Sequence, residues 1–337
     1  MNWSSIIDNT LQGFIGINAV YFAIAAIGLN VQFGYTGLLN FGQAAFMAAG
    51  AYGLGMTAHY FDISFWWGLP IGIGYAVILG LLMGVPTLRL RADYLAIVTI
   101  AAAEILRLIV RSVKFRTLFG GTDGINEFST AFRDLGVDVG LNPAASYGFG
   151  PFTFTGRQTW TMIVGWLLVA LFGLLVWALM KSPWGRVLKA IREDEDAVRS
   201  LGKNVYSYKM QSLILGGVIG TFAGMVLALD RGSVQPDNYS RDLTFYILTA
   251  LVLGGVAKVS GSIVGPMLFW ALFSFLDTFL RELTRKGPLR IGDFTLVQST
   301  QIGQINFMMI GLLLILLMVF RPQGLFGSKK EMAFDGR

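Results

Sequence analysis

Two apolar runs, residues 160–180 and 210–229, each match the ~20 residues that a helix needs to cross a bilayer. In lipid the backbone amides can be paired only within the segment, so each run must be helical. Placed in tandem they oblige the chain to cross and return, with the charged residues 181–209 left in water on one side. The pattern recurs. Further spans are predicted near 11–29, 41–60, after Trp66 and Trp67 to about 86, near 94–113 and 243–257, to about 280, and near 305–320, nine in all. Composition agrees: 14% of the chain is charged, against ~25% for a soluble domain.

Residues 181–209, KSPWGRVLKAIREDEDAVRSLGKNVYSYK, read as two short helices with a turn between them. Ser182 can cap the first, Pro183 fits its first position, and Trp184, Val187, Leu188 and Ile191 form one apolar stripe. Asp194 can cap a second, shorter helix ended by Gly202, with Ala197, Val198 and Leu201 on one face. Such a pair is either a surface gripped by another protein or a solvated loop with an interfacial helix.

The first span ends at Asn30 in a stretch where Gly34, Gly37 and Gly42 disfavour a continuous helix. Asn30, Gln32, Tyr35, Thr36, Asn40 and Gln43 fall there at membrane depth. Broken backbone survives in a bilayer only where protein or a polar cavity satisfies it. The stretch is therefore a short loop between spans or a re-entrant break lining a pathway. The fourth span places Glu104, Arg107 and Arg111 on one helical face. An unpaired charge in a membrane costs roughly 2.5–3.5 kcal/mol, so Glu104 and Arg107 are expected to form a structural ion pair, with a substrate contact as the alternative. Gly216, Gly220 and Gly224, spaced by four, predict a close helix–helix seam.

The chain has no cysteine and one histidine, His59 beside Tyr60 and Asp62, which excludes thiol catalysis and Cys/His metal sites; no catalytic or metal residue is assigned. No GxxxxGK[ST] loop is present, and the glycines at 120–124 lack the lysine a phosphate loop needs. The net charge of +6 comes without a basic, aromatic-rich soluble patch, so nucleic acid is not an expected partner and membrane lipid is. MNWSSIIDNT lacks a basic n-region, so the first apolar run is expected to be a retained span.

Several stretches carry a resemblance. EDAVRSLGKNV, residues 195–205, is similar to the coupling loop of ABC importer permeases, with Glu195, Ala197, Leu201 and Gly202 matching and Asp196 departing. GLNVQFGYTGLLNFGQAAFMAAGAY (28–52), LRLRADYLAIVT (88–99), the GGTDG turn (120–124), GGVAKVSGSIVGP (254–266) and FRPQGLFG (320–327) resemble the LivM-type permease subunits of branched-chain amino acid ABC transporters. Gln43 stands where many relatives have histidine, so no proton or metal role is expected there. The resemblance implies a transport subunit, not an enzyme, without a cofactor of its own. ATP and Mg would belong to two ATP-binding partner subunits. A LivH-type permease and an external amino-acid-binding protein would complete the assembly. It implies ATPase coupling through Arg192, Glu193, Asp194, Glu195, Ala197, Val198, Leu201 and Gly202. Tyr35, Thr36, Gly37, Asn40 and Gln43 would lie along the translocation path.

The expected fold is an all-α polytopic membrane protein, one transmembrane permease domain over 1–337, in the bacterial cytoplasmic (inner) membrane. It would have about nine transmembrane helices with broken or re-entrant segments, an external loop at 117–159, a cytoplasmic coupling helix within 181–209 and a cytoplasmic tail at 321–337. Nine spans put the N-terminus outside and Arg89, Arg91, Lys258, Lys329 and Lys330 inside. Arg281, Arg285, Lys286 and Arg290 then fall outside, against the positive-inside rule. Breaker-rich stretches at 30–43 and 230–242 suggest an inverted repeat. Urea, a short amide or another amino acid is the nearest alternative solute. A secondary transporter or channel is the alternative of another class.

Overall fold

A computed structural model describes residues 2–60, 64–88, 92–285, 289–291, 294–321 and 323–327. Asp62, Arg89, Arg91, Lys286, Lys329, Lys330 and the proline of FRPQGLFG lie outside the described residues. The chain begins with α1 (Trp3–Ile15) and α2 (Ile17–Leu29), which runs on as a π-helix over Asn30–Tyr35. Then come α3 (Gln43–Tyr60), α4 (Gly68–Thr87) and α5 (Ala92–Arg111). The stretch expected as one long loop holds α6 (Arg116–Phe119), β1 (Ile125–Asn126), α7 (Thr130–Asp138), β2 (Ser146–Phe149) and β3 (Phe152–Thr155). α8 (Gly156–Lys181), α9 (Pro183–Glu193), α10 (Glu195–Ser200) and α11 (Val205–Arg231) follow. β4 (Ser233–Val234), α12 (Arg241–Gly254), α13 (Val259–Thr284), β5 (Leu289–Ile291), β6 (Phe294–Val297) and α14 (Ile302–Phe320) complete the order.

Among the described residues, five helical runs are long and apolar enough to cross a membrane: Trp3–Tyr35, Phe65–Thr87, Gly156–Lys181, Val205–Arg231 and Val259–Thr284. The first corrects the predicted span at 11–29. It begins earlier and is two helices, because Gly16 is extended (φ −65°, ψ 173°) and interrupts the hydrogen-bond ladder. Apolar periodicity cannot register a one-residue break between two oily helices.

α2 is the centre of the molecule. Every residue from Ala19 to Leu29 is buried, as befits a helix that is apolar all round. It packs against α11, α13 and α8, and α11 in turn packs against α3 and α4. The glycine stripe of α11 faces these neighbours. A Cβ at Gly216 would strike Gly28 O and the Gln32 side chain, one at Gly220 the amide of Gln43, and one at Gly224 the backbone of Met47. Two sequence-distant loops are tied together where β1 pairs antiparallel with β4, Ile125 opposite Val234 and Asn126 opposite Ser233.

Candidate functional site

The charged segment folds into the expected helix pair, with two differences. Ser182 occupies the N-cap position of α9, but its hydroxyl donates back to Leu179 O and caps nothing. Ala197, Val198 and Leu201 do not share a face: Val198 is buried, whereas Leu201 is 80% exposed and Ala197 lies in solvent. α10 is only six residues long, too short to complete a second turn of stripe. Leu188 and Ile191 seat α9 on the bundle. Asp194 Oδ1 accepts from Ala197 N at 2.9 Å and caps α10. Glu195 accepts from Arg199 (2.9 Å) and from Lys209 of α11, so the short helix is fastened to the long one. Gly202 closes α10 with φ +75°.

The inner face of α9 meets the second stretch singled out in the sequence. The Arg192 guanidinium donates to Gly34 O, and Gly37 (φ +74°) lies against the Arg192 side chain. The Lys189 ammonium is 5.7 Å from the centroid of the Tyr35 ring. α9 therefore grips the end of α2. Sequence reasoning treated the two stretches as separate because 158 residues part Gly34 from Arg192.

Beneath this contact lies a buried polar network. Asn30 Oδ1 accepts from Ala257 N (2.9 Å) and its Nδ2 donates to Lys258 O (3.0 Å), bridging α2 to the turn between α12 and α13. Gln32 Nε2 donates to Leu213 O (2.9 Å), and Asn40 Nδ2 donates to Gln32 Oε1 (2.8 Å). The Thr36 and Ser212 hydroxyls lie 2.7 Å apart, and both also bond to Val31 O. Gln43 Nε2 donates to Gly216 O (3.2 Å), and Ala44 N donates to Thr244 Oγ1 (2.9 Å). Tyr35, Thr36, Asn40 and Gln43 are all buried, and Gly37 is half-buried. Phe41 N, freed by the break, is met by Thr99 Oγ1 of α5, and Ala44 N in the first turn of α3 by Thr244 of α12, as a low-dielectric interior requires. Ser212 and Thr244 belong to this network and carried no sequence signal, whereas Thr99 and Ala257 fall within stretches that the resemblance marked. A lone hydroxyl in an apolar helix usually bonds its own preceding turn.

At the opposite end of the bundle, Arg107 donates through Nε (3.1 Å) and Nη2 (2.6 Å) to Glu104. Its Nη1 also donates to Asp237 Oδ1 at 2.6 Å, and Arg111 approaches the same carboxylate at 3.4 Å. The pair is thus one half of a bridge between α5 and the 3-10 turn Pro236–Tyr239. Neutralising Glu104 alone is expected to destabilise the chain, and removing Arg107 as well should recover part of the loss. A thermal-melt double-mutant cycle should give a coupling of roughly 0.5–3 kcal/mol. Additive effects would show the pair to be idle. Among the described residues no group of three or more His, Cys, Asp or Glu could hold a metal ion.

Residues 13–319 match the family described as branched-chain amino acid transport system / permease component. The chain is 32% identical to the high-affinity branched-chain amino acid transport system permease protein LivM of Escherichia coli (strain K12), over 96% of this chain and 71% of that protein. It is 25% identical to a probable branched-chain amino acid transport permease protein LivM of Methanocaldococcus jannaschii, over 91% and 90% of the two chains. It is 31% identical to the L-arabinose ABC transporter permease protein AraH of Azospirillum brasilense, over 66% and 61%.

Proposed function

The chain belongs to the branched-chain amino acid transport permease family, and from that premise we propose how it works as the membrane subunit of an ATP-driven importer of aliphatic amino acids. It is a multi-pass membrane protein and, as a permease component, has no ATPase site of its own. Hydrolysis of ATP with Mg falls to two partner subunits, and solute is delivered by an external binding protein. A LivH-type permease forms the second half of the pore. The membrane is the bacterial cytoplasmic one.

The observation that carries this reading is the attachment of α9 and α10 to the end of α2 through Arg192 and Gly34. Leu201, 80% exposed, with Ala197 and Gly202 beside it, offers a docking tip to an ATPase. Motion of that tip would reach the α2 end directly. Residues 34–43 then act as the gate of the path at the cytoplasmic end, opening as the buried network of Thr36, Asn40 and Gln43 rearranges, with Tyr35 and Gln43 meeting the solute.

One contact supports the orientation proposed. Leu325 N and Phe326 N donate to Leu253 O and Gly254 O, so these two residues lie with the end of α12. Counting α1 and α2 as one crossing, with α3, α4, α5, α8, α11, α12, α13 and α14, gives nine, an outer N-terminus and a cytoplasmic tail. The breaks between Thr36 and α3 and between α11 and α12 then lie at opposite ends, as an inverted repeat requires.

The test is ATP-driven uptake of leucine into proteoliposomes by the chain assembled with its partners. Gly202→Val should reduce ATPase co-purification and uptake, because a β-branched residue resists φ +75°. Space is not the cause, since nothing lies within 4 Å of a Cβ there. Normal co-purification and normal uptake by Gly202→Val would count against the docking role. Uptake that persists with an inactive ATPase would favour a secondary transporter. Uptake of urea or an amide in place of leucine would change the solute and leave the mechanism.

A further inference from the structure

At the end of the bundle away from α9, a cleft of about 470 Å³ opens between α1 and α13, with the first turns of α2 and α8 as its other walls. Its lining is mixed: Ile17, Met162 and Phe273 contribute apolar surface, and Asn9, Gln12, Asn18 and Gln158 contribute polar groups. One and two turns on from Phe273, Asp277 and Arg281 pair at 2.7 Å. Asp277 also accepts from Asn306 Nδ2 at 3.0 Å, and Asn306 is 1% exposed, so the carboxylate is pinned from behind by α14. Arg281 holds the same carboxylate through two bonds, Nε to Oδ2 at 2.7 Å and Nη2 to Oδ1 at 3.2 Å, while its side chain is 64% exposed. The indole N–H of Trp270 is buried at the cleft wall and has no hydrogen-bond partner among the described residues.

A fixed carboxylate, an exposed guanidinium and an unmatched buried donor, with apolar side chains among them, suit one kind of ligand. It carries an ammonium and a carboxylate close together and an aliphatic tail. Charged groups within a spanning helix are costly and tend to mark solute pathways. An unmatched donor is costly until an acceptor arrives.

We propose that this cleft is a subsite for a zwitterionic aliphatic amino acid, with Asp277 receiving the ammonium and Arg281 and the Trp270 N–H receiving the carboxylate. The subsite rests on the reading of the chain as an amino-acid permease. It is distinct from the gate at residues 34–43, and α2 connects the two, since Ile17 lines the cleft and Tyr35 closes the far end of the same rod. It also assigns a use to Arg281, which the positive-inside rule leaves on the wrong side.

The chain has no cysteine, so Ser274→Cys, on the cleft wall, gives a single reporter in the assembled importer. Labelling of this chain by a small water-soluble thiol reagent would be followed by mass. L-Leucine at about ten times its half-protecting concentration should slow it by about tenfold. Leucinamide, which lacks the carboxylate, and 4-methylpentanoate, which lacks the ammonium, should protect far less. Asp277→Asn should raise the leucine concentration for half-protection by about tenfold, and Asp277→Glu should restore part of it. Thr278→Cys, on the same wall, serves as a second reporter if Ser274→Cys fails to assemble. Labelling unaffected by leucine would reveal a merely water-filled vestibule and overturn the subsite. Both cysteines remaining unlabelled would overturn it too, since no solute could then enter. Leucine uptake without protection removes the subsite and leaves the permease. Protection without ATP-driven leucine uptake supports the subsite and removes the importer reading.

Discussion

Gly224→Leu is expected to yield a chain that does not assemble. A Cβ at Gly224 would fall on the O, C and Cα of Met47, all backbone atoms of α3, so no side-chain rotation can make room. The helices would have to part, and with them the contacts that cover α2. The neighbouring Tyr239 hydroxyl donates to Gly224 O at 3.4 Å, and burial keeps that phenol protonated well above its usual range. Overpacking of a close-packed interior costs about 1–3 kcal/mol for one or two added methylenes, and more where only backbone can yield, against a total stability of about 5–15 kcal/mol. The measurement is the monodisperse fraction in detergent and the melting midpoint. Gly74→Leu is the control, because nothing lies within 4 Å of a Cβ there. It should purify normally and gain helix propensity. A Gly224→Leu chain that purifies and melts like the Gly74 variant would show that α3 and α11 do not need to approach so closely.

Asn30→Leu should be the next most damaging change, and it should act through the turn between α12 and α13. Asn30 is fully buried and supplies both an acceptor to Ala257 N and a donor to Lys258 O. Leucine keeps the branching and the number of heavy atoms but leaves two backbone groups without partners, at roughly 1–3 kcal/mol each. The clamp also holds a strained residue, for Ala257 has φ +63°. Ala257→Gly should relieve about 1 kcal/mol of that strain and partly rescue Asn30→Leu. Asn30→Asp retains the acceptor, loses the donor and buries a charge, so it should melt no higher than Asn30→Leu. Melting curves of the four chains in detergent decide the matter. Unchanged melting of Asn30→Leu would mean that water or a neighbouring side chain satisfies the turn.

Helical spans, the cap by Asp194 and the glycine seam of α11 were legible in the sequence because each depends on residues near one another in the chain. A cap needs a carboxylate three residues before an amide, and a seam needs small residues at spacings of four. Even the Glu104–Arg107 pair is local, one turn apart. Its second carboxylate, Asp237, lies 130 residues on and left no trace at either position.

The sequence by itself determined that this chain enters a membrane as helices, since apolar runs of bilayer length have no other way to pair their amides. It also determined the pair of short helices within residues 181–209. Only the tertiary structure decided what that pair touches, how Asn30–Tyr35 continues as a π-helix instead of breaking, and which hydroxyls close the network around Thr36 and Gln43. It alone joined Arg192 to Gly34 and set Asp277 before a cleft lined by α1. Hydrophobic periodicity says which face of a helix is buried and is silent on what it is buried against. Polar contacts between distant segments depend on geometry to within an ångström, and that is settled only when the helices pack.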